Sequence, residues 1–281
     1  MTLLSSEIYR DAPTRRIEVG GTTFVYRELG QRGGVPLILL NHLAATLDNF
    51  DPRIVDGLSS AHHVIAFDNR GVGGSGGKTP TTVAAMADDA SAFVRAIGFD
   101  CVDMLGFSLG GFIAQQLALS CPSMVRRMIL TGTGPAGGVG IDRVTGLTLR
   151  MMLKGALTLK DPKTYLFFTR TANGRAAAKA FLDRLQERAD DRDAPISITA
   201  FRAQLKAIHT WGGQSPQDLG AITQRTFVAN GEDDLMVPTI NSVDLAHRIP
   251  GARLSIYEDA GHGGIFQHYK RFVAEALDFL A

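Results

Sequence analysis

The stretch that most constrains this chain is Gly106-Phe107-Ser108-Leu109-Gly110-Gly111. It follows the apolar run Cys101 to Leu105 and leads into the helical pattern Phe112 to Leu119. A strand that passes so abruptly into a helix brings backbones together, and Gly106 and Gly110 flank the serine where a Cβ would clash. The new helix points its free N–H groups and positive dipole end at charge developing beside Ser108. The pattern reads as a nucleophilic serine on a strand-to-helix turn. A plainer reading is a helix N-cap in a glycine-rich loop, because G-x-S-x-G arises by chance in many chains. The serine therefore needs partners elsewhere.

Strand patterns lie on both sides of this stretch. Ile17 to Val19 and Thr22 to Leu29, separated by Gly20-Gly21, read as an edge hairpin. Pro36 to Asn41, Val64 to Phe67, Cys101 to Leu105 and Met128 to Leu130 are short, continuous apolar runs, as in parallel strands covered on both faces. Helical patterns alternate with them: Asp48 to Leu58, a helix capped by Thr81 or Thr82 and running to about Ile97, and the helix after Ser108. This alternation specifies an α/β domain with a mostly parallel sheet, whose ligands bind beyond the carboxyl ends of the strands.

The rhythm breaks at Gly132. Helical patterns at Leu147 to Leu159, Pro162 to Phe168, Arg175 to Arg188 and Ile198 to Ile208 follow before the next strand, Thr226 to Ala229. Residues 135–222 are expected to be a helical lid inserted into a core of residues 1–134 and 223–281. The core resumes with a helix near Thr239 to Arg248, a strand Arg253 to Tyr257 and a terminal helix from about Phe266 to Leu280. With 281 residues, 45% of them hydrophobic, the chain can bury one large core carrying such an insertion.

A serine hydroxyl needs a positioned base, and the base needs a carboxylate to fix its tautomer. Gly231-Glu232-Asp233-Asp234 follows the strand Thr226 to Ala229, and Gly261-His262-Gly263 follows the strand Arg253 to Tyr257. Both lie on the rim that carries Ser108, in the chain order Ser, Asp, His. The chain here resembles the α/β-hydrolase family. The elbow at Ser108, the G-x-x-D-x-x-x-P loop at Gly231, Asp234 and Pro238, the Gly-His-Gly at His262 and the turn Asp68-Asn69-Arg70-Gly71-Val72-Gly73-Gly74-Ser75 carry that resemblance. It implies an eight-stranded, mostly parallel sheet flanked by helices, with Ser108, Asp234 and His262 as catalytic triad. It also implies an oxyanion hole made by the N–H of Leu109 and one from the loop His42-Leu43-Ala44, where Leu43 stands in place of the usual glycine. Ala44 is the expected donor, with Leu43 or Ala45 as the alternatives if leucine shifts the loop.

Other motifs have plainer readings. Gly71 to Gly76 matches a dinucleotide fingerprint, but Lys78-Thr79-Pro80 follows instead of a helix, which leaves a structural turn. His62 and His63 lack ligand-spaced partners, so no metal site is read there. His268 is expected inside the terminal helix. His42, Leu43, Met152 and Trp211 are candidate substrate contacts.

The 29 basic and 28 acidic residues, net charge +1, form no long run of one sign, and no apolar run approaches the roughly 20 residues that span a bilayer. Neither nucleic acid nor membrane is an expected partner. Met1 to Arg16 has no apolar core, and two cysteines make no disulfide framework, so a cytoplasmic location is expected. The expected activity is serine hydrolysis of a small apolar ester, lactone or related acyl compound without metal or organic cofactor. Haloperoxidase/perhydrolase-type and carbon–carbon bond hydrolysis use the same triad, and a non-catalytic receptor on this fold is the alternative of another class.

Overall fold

A computed structural model describes residues 8–281. The first part of the Met1 to Arg16 stretch, residues 1–7, lies outside the described residues. Eight strands form one sheet in the order β1-β2-β4-β3-β5-β6-β7-β8. The hairpin β1 (Arg15–Val19) and β2 (Thr22–Leu29) is antiparallel, and β2 also runs antiparallel to β4 (Val64–Phe67). From β4 onward the neighbours are parallel: β3 (Leu37–Leu40), β5 (Val102–Phe107), β6 (Val125–Thr131), β7 (Arg225–Gly231) and β8 (Arg253–Tyr257). Every residue of β3, β4 and β5 is buried, which explains why these strands read as unbroken apolar runs. This is the eight-stranded, mostly parallel architecture that the resemblance implies.

Helices α1 (Pro52–Ser59), α2 (Val83–Ala96), α3 (Leu109–Ser120), α8 (Ile240–Arg248) and α10 (Tyr269–Leu280) connect and cover the strands. Thr82, rather than Thr81, caps α2 by accepting the Ala85 N–H. Between β6 and β7 the chain forms α4 (Val144–Thr158), α5 (Lys163–Leu166), α6 (Ala172–Arg184) and α7 (Ile198–Gly212). Their buried side chains, among them Phe167, Phe181 and Trp211, belong to the same apolar cluster as the sheet.

The expected terminal helix is two helices. A short α9 (Gly264–Gln267) precedes α10, and His268 stands at the joint. Its Nε2 lies 3.1 Å from the Glu258 carbonyl and its ring stacks on Tyr257 at 5.5 Å. That tertiary tie holds His268 at φ −106° and ψ 34°, outside helical geometry, and the polar spacing alone does not reveal it.

The topology also locates the site. From β3 the chain crosses to β4 on one side, whereas β5 lies on the other, so a crevice opens where the connections diverge. Leu40 pairs with Gly106, which sets the residues after β3 beside those after β5.

Candidate active site

The turn after β5 has the expected elbow geometry. Ser108 adopts φ 56° and ψ −115°, a conformation that residues with a side chain rarely take. Its surroundings enforce it. Ser108 N–H donates to the Thr131 carbonyl (2.9 Å), while the Ser108 carbonyl accepts from Gly111 N–H and Thr133 Oγ1, both at 2.9 Å. A Cβ on Gly106 would lie 2.4 Å from the Gly110 carbonyl oxygen, and one on Gly110 would lie 2.0 Å from that of Leu40. Ser108 occupies the N-cap position of α3, yet its hydroxyl makes no capping hydrogen bond. The plain N-cap reading therefore lacks the interaction that defines it.

The ends of β7 and β8 supply an acid and an imidazole. His262 Nδ1 and Asp234 Oδ2 are 2.7 Å apart, and both side chains are almost wholly buried. Asp234 Oδ1 accepts the N–H groups of Met236 (2.8 Å) and Val237 (3.0 Å), so backbone fixes the carboxylate while it faces the ring. Asp233 and Glu232 are exposed. The His262 ring packs against Phe107 (4.9 Å) and Phe167 (5.4 Å). Its Nε2 is buried and has no hydrogen-bond partner among the described residues.

Ser108 and His262 line a cavity of about 320 Å³ together with His42, Leu43 and Ala44. Thr148, Met152, Leu166, Phe167, Ile198 and Phe201 supply wall from α4 to α7 and its approaches. Asp161 and Lys163, also on the wall, pair at 3.6 Å. His42 is neutral: burial, assisted by the Lys163 charge, pushes its pKa down to about 3. Its Nδ1 lies 2.8 Å from the Leu43 carbonyl oxygen, which makes Nδ1 the protonated nitrogen.

Two expected site residues are placed differently. Ala44 N–H donates to Gln204 Oε1 at 2.8 Å, so it is already engaged. Ala45 N–H is engaged too, by the His42 carbonyl at 3.2 Å. Leu43 N–H and Leu109 N–H have no hydrogen-bond partner among the described residues. The free pair is thus Leu109 with Leu43, one residue earlier than expected, because Ala44 takes the left-handed conformation (φ 63°) and turns its amide toward α7. Trp211 does not line the cavity: it stacks on Phe112 at 5.4 Å and donates Nε1–H to the Gly134 carbonyl (3.3 Å) in the core.

Sequence reasoning missed Gln204. One signal was present, since it falls on the buried stripe Ala200, Gln204, Ala207, Ile208 and Trp211 of α7 as its polar member. Elsewhere, the turn at Gly71 closes on itself through Gly71 N–H to the Gly76 carbonyl (2.8 Å), and α2 begins only at Val83. His63 Nε2 lies 2.9 Å from Glu28 Oε2. No group of three or more metal-ligating side chains occurs among the described residues.

A family model described as alpha/beta hydrolase fold matches residues 35–269. Among solved structures, an alpha/beta hydrolase fold protein from Chitinophaga pinensis superimposes with a TM-score of 0.94 at 42% identity, covering 98% of this chain and 99% of that one. A poly(3-hydroxyalkanoate) depolymerase from Ectopseudomonas oleovorans is 29% identical over 81% of this chain and 77% of its own length. A 2-hydroxy-6-oxononadienedioate/2-hydroxy-6-oxononatrienedioate hydrolase from a Pseudomonas species is 25% identical over 85% of this chain and 84% of its own. The likeness spans the strand ends that carry Ser108, Asp234 and His262, and the chain belongs to the alpha/beta hydrolase fold family as a hydrolase.

Proposed function

We propose that the protein hydrolyses a small apolar ester or lactone through Ser108, His262 and Asp234. The observation that carries this reading is the Asp234–His262 hydrogen bond, with the opposite imidazole nitrogen left unpartnered in a cavity wall that Ser108 shares. Ser108 Oγ attacks the carbonyl carbon as His262 Nε2 takes its proton, and Asp234 holds the tautomer and offsets the imidazolium charge. Leu43 N–H and Leu109 N–H donate to the tetrahedral oxyanion, where losing one donor costs roughly 2.7 to 4 kcal/mol of barrier. His262 returns the proton to the leaving group. Water then attacks the acyl-enzyme by the same route.

The cavity favours a neutral substrate. Its charged wall residues, Asp161 and Lys163, pair with each other, and His42 is uncharged. A dioate, as in the name of the Pseudomonas relative, would bring two carboxylates into walls formed mainly by Leu43, Met152, Leu166, Phe167, Ile198 and Phe201. Residues 135–222 act in this reading as the cap that excludes water from the acyl group. Cys101 and Cys121 are unpaired, in keeping with a reducing, cytoplasmic setting.

The test is turnover of p-nitrophenyl acetate and butyrate by wild type and Ser108→Ala, followed by a panel of short esters, lactones and vinylogous diketones with and without peroxide. Turnover of esters or lactones that disappears in Ser108→Ala supports the reading. Equal rates in both proteins would sink it, and turnover confined to diketones or to peroxide-containing assays would reassign the reaction.

A further inference from the structure

The Leu43–Ala44 peptide is gripped at both ends by side chains. The Leu43 carbonyl accepts from His42 Nδ1 (2.8 Å), and the Ala44 N–H donates to Gln204 Oε1 (2.8 Å). The grip opposes a conformational preference. Ala44 sits at φ 63°, and rotating this peptide plane would return it to an ordinary negative φ. The neighbouring amide is Leu43 N–H, the unpartnered donor on the cavity wall.

Gln204 is fully buried on α7, and the bond to Ala44 is the one hydrogen bond its side chain makes among the described residues. An N–H donor requires the amide oxygen, so Nε2 faces away, buried and without a partner. A methionine would fill similar space without burying an unsatisfied amide, so packing alone gives no reason for glutamine here. Gln204 does not line the cavity and so does not touch substrate.

We infer that Gln204 is a positioning residue that holds the Leu43–Ala44 peptide in its left-handed setting, so that helix α7 completes the oxyanion site whose donor is Leu43 N–H. This rests on the hydrolase mechanism proposed above. Replacing Gln204 frees the Leu43–Ala44 peptide to rotate, which swings the Leu43 carbonyl away from His42 Nδ1 and loosens the adjoining His42–Leu43 peptide. The Leu43 N–H is then no longer held in place for the transition state, while ground-state binding in the cavity is kept.

The test is Gln204→Leu and Gln204→Met, each alone and combined with Ala44→Gly, assayed for kcat and KM on p-nitrophenyl butyrate and for inhibition by phenylboronic acid. Boronic acid adds to Ser108 Oγ as a tetrahedral oxyanion mimic. Either single variant is expected to lose about ten-fold in kcat, part of what a deleted donor costs, with KM within about two-fold and boronate affinity falling in parallel. Ala44→Gly restores most of the loss, because glycine takes a positive φ without strain. An unchanged or raised kcat, a loss confined to KM, or a loss that glycine does not restore overturns the inference. If one variant fails to fold, the other is read in its place, and if both fail alone the Ala44→Gly backgrounds are read against Ala44→Gly itself, where a ten-fold deficit again overturns it and near-equality supports it. Failure of the underlying mechanism looks different: Ser108→Ala would then keep wild-type turnover.

Discussion

Ser108 and Ala44 both carry a side chain, both take a positive φ at the rim of one cavity, and they are held there by different means. The elbow is held chiefly by backbone and by the absence of Cβ atoms: the Thr131 carbonyl takes Ser108 N–H, and Gly106 and Gly110 give clearance to neighbouring chain. The loop after β3 is held by side chains. Asn41 bonds the Thr46 carbonyl and the His42 N–H, Gln204 takes Ala44 N–H, and Asp68 Oδ1 takes Leu47 N–H at 2.8 Å with Asp193 Oδ2 at 3.3 Å. Each half can therefore be altered by different substitutions. The geometry of Ser108 answers to glycines and strand register, whereas the loop after β3 answers to polar residues up to 160 positions away in the chain.

Four substitutions probe that contrast. Asp234→Asn keeps an oxygen for the Met236 and Val237 amides but presents an NH₂ to His262, which fixes the wrong tautomer. kcat should fall by about 10⁴ with the fold intact, measured by steady-state kinetics and circular dichroism. Gly110→Ala attacks the elbow through its clearance, since the new Cβ meets Leu40 backbone that cannot yield. A loss of about 3 kcal/mol or more in urea unfolding is expected, together with activity.

Asp193→Asn tests the side-chain hold on the loop. Burial, and then the hydrogen bond and charge of Asp193, raise the Asp68 pKa well above the usual carboxylate value. The folded state therefore keeps a proton that the unfolded state has released, and stability falls as pH rises from the unfolded value through the folded one. Without the second carboxylate that fall should shrink. Tm between pH 5 and 9 should change less than in wild type, by on the order of 2 °C. Ala44→Gly in the wild-type background removes strain but adds chain entropy to the unfolded state, so stability should move within about 0.5 kcal/mol. A large loss there would show that the Ala44 side chain has a packing role.

Much of the candidate site is legible in the sequence because its residues lie at strand ends. The spacing from Gly231 to Pro238 singled out Asp234 over Asp233, and the structure faces Asp234, not Asp233, toward His262. Thr22 to Leu29, Val64 to Phe67 and Arg253 to Tyr257 were bounded correctly, since each is an apolar or alternating run closed by turn residues. The run from Met128 missed the first residues of β6, because Arg126 and Arg127 interrupt its apolar pattern while Arg126 pairs with Asp103 on β5.

The amino-acid sequence is enough for the α/β alternation and for the order in which serine, acid and histidine reach one rim, because those follow from short-range periodicity and turn chemistry, while the family rests on the resemblance of four motifs. Tertiary structure alone decided that Trp211 turns into the core, that the terminal helix breaks at His268 and that Ala44 gives its amide to Gln204. Helical periodicity marks Gln204 and Trp211 as lying on one buried face, but it does not say what that face meets. Such contacts join residues far apart in the chain, and only the docking of α7 against the loop after β3 sets which amide is used and which is left free.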